Sequence, residues 1–258
     1  MQLVTNNGIS YYQFENLSRL SGVSHAVFTR RAGHSQGPFQ SFNVARGIGD
    51  DDRHVAKNRR IIARCFDGDK LVFIKQVHGD QVRIIDQRPA DDPDSDRPAT
   101  LIGDALITEL PQTRLVIQVA DCQAVILVDP ERRVVANVHA GWRGTIKNII
   151  GRTIVTMTTS FGCQAGDLWA GIGPALGPCC AEFINYRKEI PENFWAYKDA
   201  ADHFDFWTIS HDQLVAGGVP SGNIAVSRIC TKCNTDLFFS YRGEGTTGRF
   251  AAVIGLDD

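Results

Sequence analysis

Three side chains suited to metal binding or nucleophilic chemistry stand where apolar runs end. His78 closes the run Leu71 to Val77 and precedes Gly79-Asp80. Cys122 follows Leu115 to Val119 through Ala120-Asp121, and His139 closes Val134 to Val138 before Ala140-Gly141. Functional groups gather where a rigid strand gives way to a loop. Two imidazoles and one thiolate suit zinc, and three protein ligands leave the fourth position open, as in catalytic sites. The spacings of 44 and 17 residues match no local metal motif such as HExxH. On spacing alone, satisfied core histidines and a small buried thiol are the stronger reading.

The run His139-Ala140-Gly141-Trp142-Arg143-Gly144-Thr145 shifts that balance. Two glycines around Trp142 and Arg143, at a strand-to-helix junction, leave backbone amides free near a helix start, where anions bind. Arg143 would hold a phosphate bidentately. Of the other cysteines, Cys230-x-x-Cys233 has no second CxxC to complete a zinc ribbon, so it reads as structural or as a reversible thiol pair. The vicinal pair Cys179-Cys180 lies in a turn-rich stretch, either packed near the metal or inert. His25, His34, His54, His203 and His211 have no partner pattern and read as surface or capping residues, and Phe204, Phe206 and Trp207 as core or interface.

Short β-branched runs must position these groups. Leu71 to Val77, Gln81 to Asp86, Leu115 to Val119, Ala124 to Asp129 and Arg133 to Val138 are predicted strands. The turn Asp129-Pro130-Glu131-Arg132 makes a hairpin of Ala124 to His139. Apolar residues at helical spacing predict helices over Asp52 to Phe66, Thr145 to Phe161 and His211 to Gly217. Strands outnumber helices and pair locally. The expectation is one α/β (α+β) domain over residues 1–258, a mixed β-sheet sandwich with flanking helices and not a doubly wound parallel fold. The acidic, proline-rich stretch Ala90 to Thr100 reads as an exposed loop.

Composition narrows the function classes. The chain of 258 residues carries 27 basic and 29 acidic side chains, which rules out a strongly basic nucleic-acid binder. With 43% hydrophobic residues it is not disordered. No run of about eighteen apolar residues marks a membrane span. Met1 to Asn7 lacks the basic cluster and apolar run of a signal peptide. Seven cysteines, two of them adjacent, read as reduced thiols rather than a disulfide framework, so a cytoplasmic protein is expected.

KQVHG at 75–79, ADC at 120–122, HAGWRG at 139–144 and GPCC at 177–180 resemble the YfiH-type laccase-domain family, also called purine nucleoside phosphorylase or polyphenol oxidase. The resemblance runs from about Phe28 to Arg249, through Gly37 to Asn43, Asp50-Asp51, Asn58-Arg59, Asp104-Ala105, Phe239 to Arg242 and Thr247-Gly248-Arg249. It implies an α/β sandwich related to a bacterial toxin's cysteine-hydrolase domain, with one zinc ion on His78, Cys122 and His139. Copper (Cu2+) ranks behind zinc (Zn2+). The implied reactions are phosphorolysis of adenosine, inosine, guanosine and methylthioadenosine, and deamination of adenosine. One departure, Ala181 where many members carry tyrosine after the paired cysteines, bears on substrate preference.

Phosphorolysis needs basic groups at the phosphate and a proton donor at the leaving base. Arg143 leads the phosphate candidates, followed by Arg30, Arg59 and Arg242, with Asn43 and Asp121 for ribose contact or proton handling. Strand alternation would turn Asp121 away from the face of Cys122. The signature of zinc nucleobase deaminases, HxE with PCxxC, is absent. A multicopper laccase is not supported: the chain has seven histidines, no HxH pair, and only Met1 and Met157 as axial candidates. Two rivals use the same residues. Cys122 as nucleophile with His78 or His139 as base would make an amidase editing a peptidoglycan precursor. A closed zinc site would instead make a non-catalytic nucleotide- or protein-binding domain. The expected partners are a purine nucleoside and phosphate, with no nucleic acid and no membrane, in a monomer or weak homo-oligomer.

Overall fold

The computed structural model describes residues 1–6, 8–87 and 101–258, so the predicted loop at Ala90 to Thr100 lies outside the described residues. In chain order the strands are β1 (Gln2–Asn6), β2 (Ile9–Gln13), β3 (Val23–Phe28), β4 (Lys70–Phe73), β5 (Val82–Ile84), β6 (Ala105–Thr108), β7 (Thr113–Val119), β8 (Gln123–Asp129), β9 (Val134–Ala140), β10 (Trp169–Ile172), β11 (Ile224–Val226) and β12 (Phe250–Leu256). The helices are α1 (Asp52–Arg64), α2 (Trp142–Ile146), α3 (Ile149–Phe161), α4 (Tyr186–Glu189), α5 (Phe206–Ala216) and α6 (Tyr241–Glu244).

The strands form two six-stranded mixed sheets, ordered β1-β2-β3-β12-β7-β4 and β11-β10-β8-β9-β6-β5. β4–β7, β5–β6 and β10–β11 are parallel pairs, and the remaining ladders are antiparallel. The predicted hairpin is present, with Ala124 opposite His139 in the β8–β9 register. Alternation gives β7, β8, β9 and β12 two apolar faces, because both sides of each strand are covered. Leu115, Ile117, Ile126, Val128, Val135 and Ile254 meet in the layer between the sheets. The outer face of the second sheet packs on Ile150, Ile154 and Met157 of α3 and Leu214 of α5. The outer face of the first sheet packs on Ile62 of α1 and on Phe66. The sandwich with flanking helices is therefore as expected.

Two boundaries differ from the sequence reading. The helix expected over Thr145 to Phe161 is divided at Asn148, whose φ of 57° is left-handed and whose side chain caps Gly151 at the start of α3. Asparagine tolerates that conformation because its short amide satisfies the local backbone. The first of the two helices begins inside the HAGWRG run, at Trp142 rather than the expected Thr145, and is only five residues long. α5 starts at Phe206, one and a half turns before the predicted His211, with Asp205 accepting the Thr208 N–H.

Candidate metal centre and its cleft

The two sheets bring His78, Cys122 and His139 together at one end of the sandwich. Their ligand atoms all lie within 4.8 Å of one another. His139 ends β9 and is buried, Cys122 is part-buried in the β7–β8 connection, and His78 is exposed beyond β4. Cys122 Sγ is 3.6 Å from His78 Nε2. Ligands sharing one tetrahedral ion, with zinc–sulfur and zinc–nitrogen bonds of about 2.3 and 2.0 Å, stand about 3.5 Å apart. The imidazoles of His78 and His139 cross at 82° with centroids 4.8 Å apart. Gly141 is required beside them, since a Cβ there would meet His78 Cδ2 at 2.8 Å and Cys122 Sγ at 3.1 Å. Chemistry and room both fit a metal ion.

Asp104, at the start of β6 and fully buried, holds this arrangement. Its Oδ1 accepts the backbone N–H groups of Val77 and His78 at 3.1 and 2.9 Å, and Oδ2 accepts that of Gly79 at 2.7 Å. Those bonds support His78 in a left-handed conformation with φ 56°, an uncommon state retained where surroundings over-determine it. Oδ1 also bonds His139 Nδ1 at 2.8 Å, which leaves Nε2 as the ligand nitrogen. Gln76 ties the same segment to β7 by donating to Gln118 O and accepting from Gln118 N.

The charges within the site reinforce each other. Burial by itself would raise the Cys122 thiol, but the neighbouring charge of His139 and hydrogen bonds from both histidines bring it down to about 6. Burial likewise disfavours the imidazolium of His139, yet the Cys122 thiolate and Asp104 raise it to about 9. Without a cation, both shifts favour a thiolate on Cys122 and an imidazolium on His139, braced by the Asp104 carboxylate.

A cleft opens over the three residues, lined among others by Arg59, Trp142, Arg143, Phe183, Arg242 and Arg249. Arg143 is exposed and its guanidinium lies 4.2 Å over the Trp142 ring. Arg59 sits 3.7 Å over Phe73 and donates to Val44 O; burial, and then Arg46, pull it down to about 9. Arg242 donates to Glu182 O at 2.8 Å. Ala181 is buried in the cleft wall.

The remaining expected contacts are used within the protein. Asn43 is fully buried: it donates to Ala45 O and Asp50 Oδ2 and accepts from the N–H groups of Ala45 and Arg249. All four hydrogen-bonding positions of its amide are occupied, so it shapes the cleft through Ala45 and Arg249. Arg30 pairs with Glu244 at 2.7 Å and lies outside the cleft. Asp121, in a turn with φ 82°, accepts from Thr231 Oγ1, Ser240 Oγ and Arg242 N, which makes it a clamp between loops. Asp104 and Arg249 appeared in the sequence only as members of the family pattern; Asp104 directly follows Gly103 just before an apolar run, a weak signal for a buried carboxylate. Phe204, Phe206 and Trp207 are buried, as expected.

Among the described residues, no helix is long and apolar enough to cross a membrane. The chain is 34% identical, over 91% of its own length and 90% of the relative's, to purine nucleoside phosphorylase YlmD of Geobacillus stearothermophilus. It is also 34% identical to a purine nucleoside phosphorylase of Bacteroides thetaiotaomicron, over 93% of this chain and 94% of that one. The crystal structure of a Bacillus licheniformis hypothetical protein YfiH superposes with a TM-score of 0.87 at 29% identity, covering 96% of both chains. That of YlmD from Geobacillus stearothermophilus gives 0.86 at 31% identity, covering 99% of both. Residues 24–257 match the model of the family described as multi-copper polyphenol oxidoreductase laccase, and the chain belongs to that family.

Proposed function

We propose that the chain is a zinc-dependent purine nucleoside phosphorylase acting on adenosine, inosine, guanosine and methylthioadenosine, with adenosine deaminase activity at the same site. The observation that carries this reading is the convergence of His78, Cys122 and His139 beneath a cleft whose walls are arginine-rich and aromatic. The names of the relatives at 34% identity support the phosphorylase class. Among the described residues, no fourth His, Cys, Asp or Glu joins the three, which favours an open catalytic site over a closed structural one.

Zinc held there would supply Lewis-acid polarisation at the floor of the cleft. The chain's own residues do the rest. Arg143, braced on Trp142, presents a flat guanidinium to a phosphate, and Arg59, Arg242 and Arg249 add positive field. Trp142 and Phe183, with ring centroids 5.9 Å apart, offer an aromatic wall to a purine. In phosphorolysis a phosphate oxygen bonds to ribose C1′ while the C1′–N bond breaks, and the base leaves with the electron pair and takes a proton. The committed hydrogen bonds of Asn43 and Asp121 leave them positioning roles rather than proton transfer. Copper ranks second, because Met157 is packed under the second sheet and is no axial ligand for this site.

The test is a product assay on metal-quantified protein, with adenosine supplied with and without phosphate. Adenine and ribose 1-phosphate formed only with phosphate, and inosine formed in either buffer, are the expected results. Cys122→Ala and His139→Ala should lose the zinc of this centre and activity together while the fold survives. Normal turnover by metal-free protein would overturn the proposal. A second reading is favoured by the Asp104–His139–Cys122 chain, which would activate Cys122 as the nucleophile of an amidase. Acylation of Cys122 in zinc-free protein by a peptidoglycan-type amide, without nucleoside turnover, would select it.

A further inference from the structure

The four cysteines read separately in the sequence meet in space. Cys179 and Cys180 lie in the loop after β10, and Cys230 and Cys233 in the segment after β11. Their sulfur atoms all lie within 4.8 Å of one another, as a group separate from His78, Cys122 and His139. Cys233 Sγ is 3.6 Å from Cys179 Sγ and 3.5 Å from Cys180 Sγ. A disulfide needs about 2.05 Å, and all four are free thiols here. Four thiolates around one ion at about 2.3 Å stand about 3.8 Å apart along each tetrahedral edge.

The backbone around the sulfurs is built to hold this spacing. Ala175 forms a parallel bridge with Cys230, and Thr231 N–H donates to Ala175 O at 3.0 Å. Cys180 N–H donates to Gly177 O, closing the turn that carries the vicinal pair. Gly177 N–H donates to Cys230 Sγ at 3.3 Å, as in a shielded thiolate. A side chain at Gly177 would bring Cβ within 3.1 Å of Cys230 Cβ and 2.6 Å of the Trp207 ring, so the loop needs glycine to approach this closely. The Cys-x-x-Cys pair enters a short 3-10 turn over Lys232–Asn234, and Asn234 donates to Cys230 O at 2.8 Å. The sequence read Cys230-x-x-Cys233 as structural or as a reversible thiol pair; in space it stands against the vicinal pair Cys179-Cys180 rather than a second CxxC.

We propose that Cys179, Cys180, Cys230 and Cys233 form a second, closed tetrathiolate site for a structural zinc ion. A four-sulfur tetrahedral donor set selects zinc over harder cations. The site staples two loops that also meet at Asp121: Leu176 N–H donates to Asp121 O, and Thr231 Oγ1 to Asp121 Oδ1. Those loops carry Ala181 and Phe183 into the cleft. The ion would hold one wall of the cleft without touching substrate.

Zinc content measured by mass spectrometry on protein purified without added metal tests this. Two zinc ions per chain are expected in the wild type, one in Cys179→Ser/Cys233→Ser, one in His139→Ala, and none in the combination. Cobalt substitution should give the strong visible bands of a four-thiolate site in His139→Ala and not in the cysteine variant. If the serine variant does not fold, wild-type stoichiometry and the cobalt spectrum of His139→Ala decide alone. Wild-type protein with no four-thiolate cobalt spectrum, or with these cysteines paired as disulfides after non-reducing digestion, would overturn the proposal. Failure at the His78–Cys122–His139 centre is read separately, as zinc retained in His139→Ala at the wild-type amount while the cysteine variant loses one equivalent.

Discussion

Asp104→Asn is the substitution that examines the metal centre most directly. Burial works against charge at this carboxyl, yet hydrogen bonds from His139 and from the backbone of Gly79 and His78 hold it below the usual carboxylate range. The aspartate accepts four hydrogen bonds from donors at 2.7 to 3.1 Å. An asparagine of the same shape has one acceptor oxygen, so its NH2 must oppose a donor. The least costly choice keeps the oxygen at the Oδ1 position and sets the NH2 against Gly79 N–H. One hydrogen bond to a charged group is then lost, about 1.5–3 kcal/mol, and a buried donor is left unpaired. Charge assistance to His139 disappears as well. We expect the metal-free variant to lose about 2–4 kcal/mol of unfolding free energy. Loss of an outer carboxylate behind a metal-bound histidine should weaken zinc binding by about 10–100-fold. Urea denaturation of the metal-free protein reads the first number and competition with a chromogenic chelator reads the second. Wild-type zinc affinity and an unchanged urea midpoint in Asp104→Asn would refute the role assigned to this carboxylate.

Two further predictions concern pH. In metal-free protein, alkylation of Cys122 by iodoacetamide, followed by peptide mass, should switch on with a midpoint near 6, and His139→Ala should move it well up. The pair contributes little pH-dependent stability: folded, it titrates at about 6 and about 9, close to the ordinary values of an unfolded histidine and cysteine. An alkylation midpoint above about 8 would contradict the thiolate–imidazolium pair. His25 behaves differently. Contrary to the surface or capping role expected from the sequence, it is buried in β3, stacked 5.9 Å from Phe14, and its Nε2 accepts the Phe14 N–H at 2.8 Å. Burial pushes its imidazole down to about 4. The unfolded chain therefore takes up a proton between about pH 6.5 and 4 that the folded chain refuses, and stability falls with acidification by about 3 kcal/mol. The urea midpoint should fall less from pH 7 to 4.5 in His25→Gln than in the wild type; equal losses would show that His25 is not the sensor.

The local elements were legible because their causes are local. β-Branched runs and the Asp129-Pro130 turn identify β7, β8 and β9, and the period of Val55 and Ile62 identifies α1 behind its Asp51 cap. The break at Asn148 was missed because an apolar period continues across it, and asparagine is the residue that can turn left-handed there without a large cost. β12 was missed for a different reason. Its run Phe250 to Leu256 is buried on both faces like β8 and β9, but Ala251, Ala252 and Gly255 leave it only two β-branched residues, Val253 and Ile254, to mark a strand.

The sequence by itself determined the donors: which imidazoles and which thiol end apolar strands, and how many other cysteines the chain offers. Tertiary structure alone decided how they group. Residues 44, 17 and about 50 positions apart fall into one cluster or the other according to how two sheets stack and where their loops close. Stacking is set by summed burial over many side chains, which no short spacing records. The same packing places Asp104 behind His139 and fixes which ring nitrogen faces the cleft. It also takes Cys179 and Cys180 away from the first centre and sets them against Cys230 and Cys233.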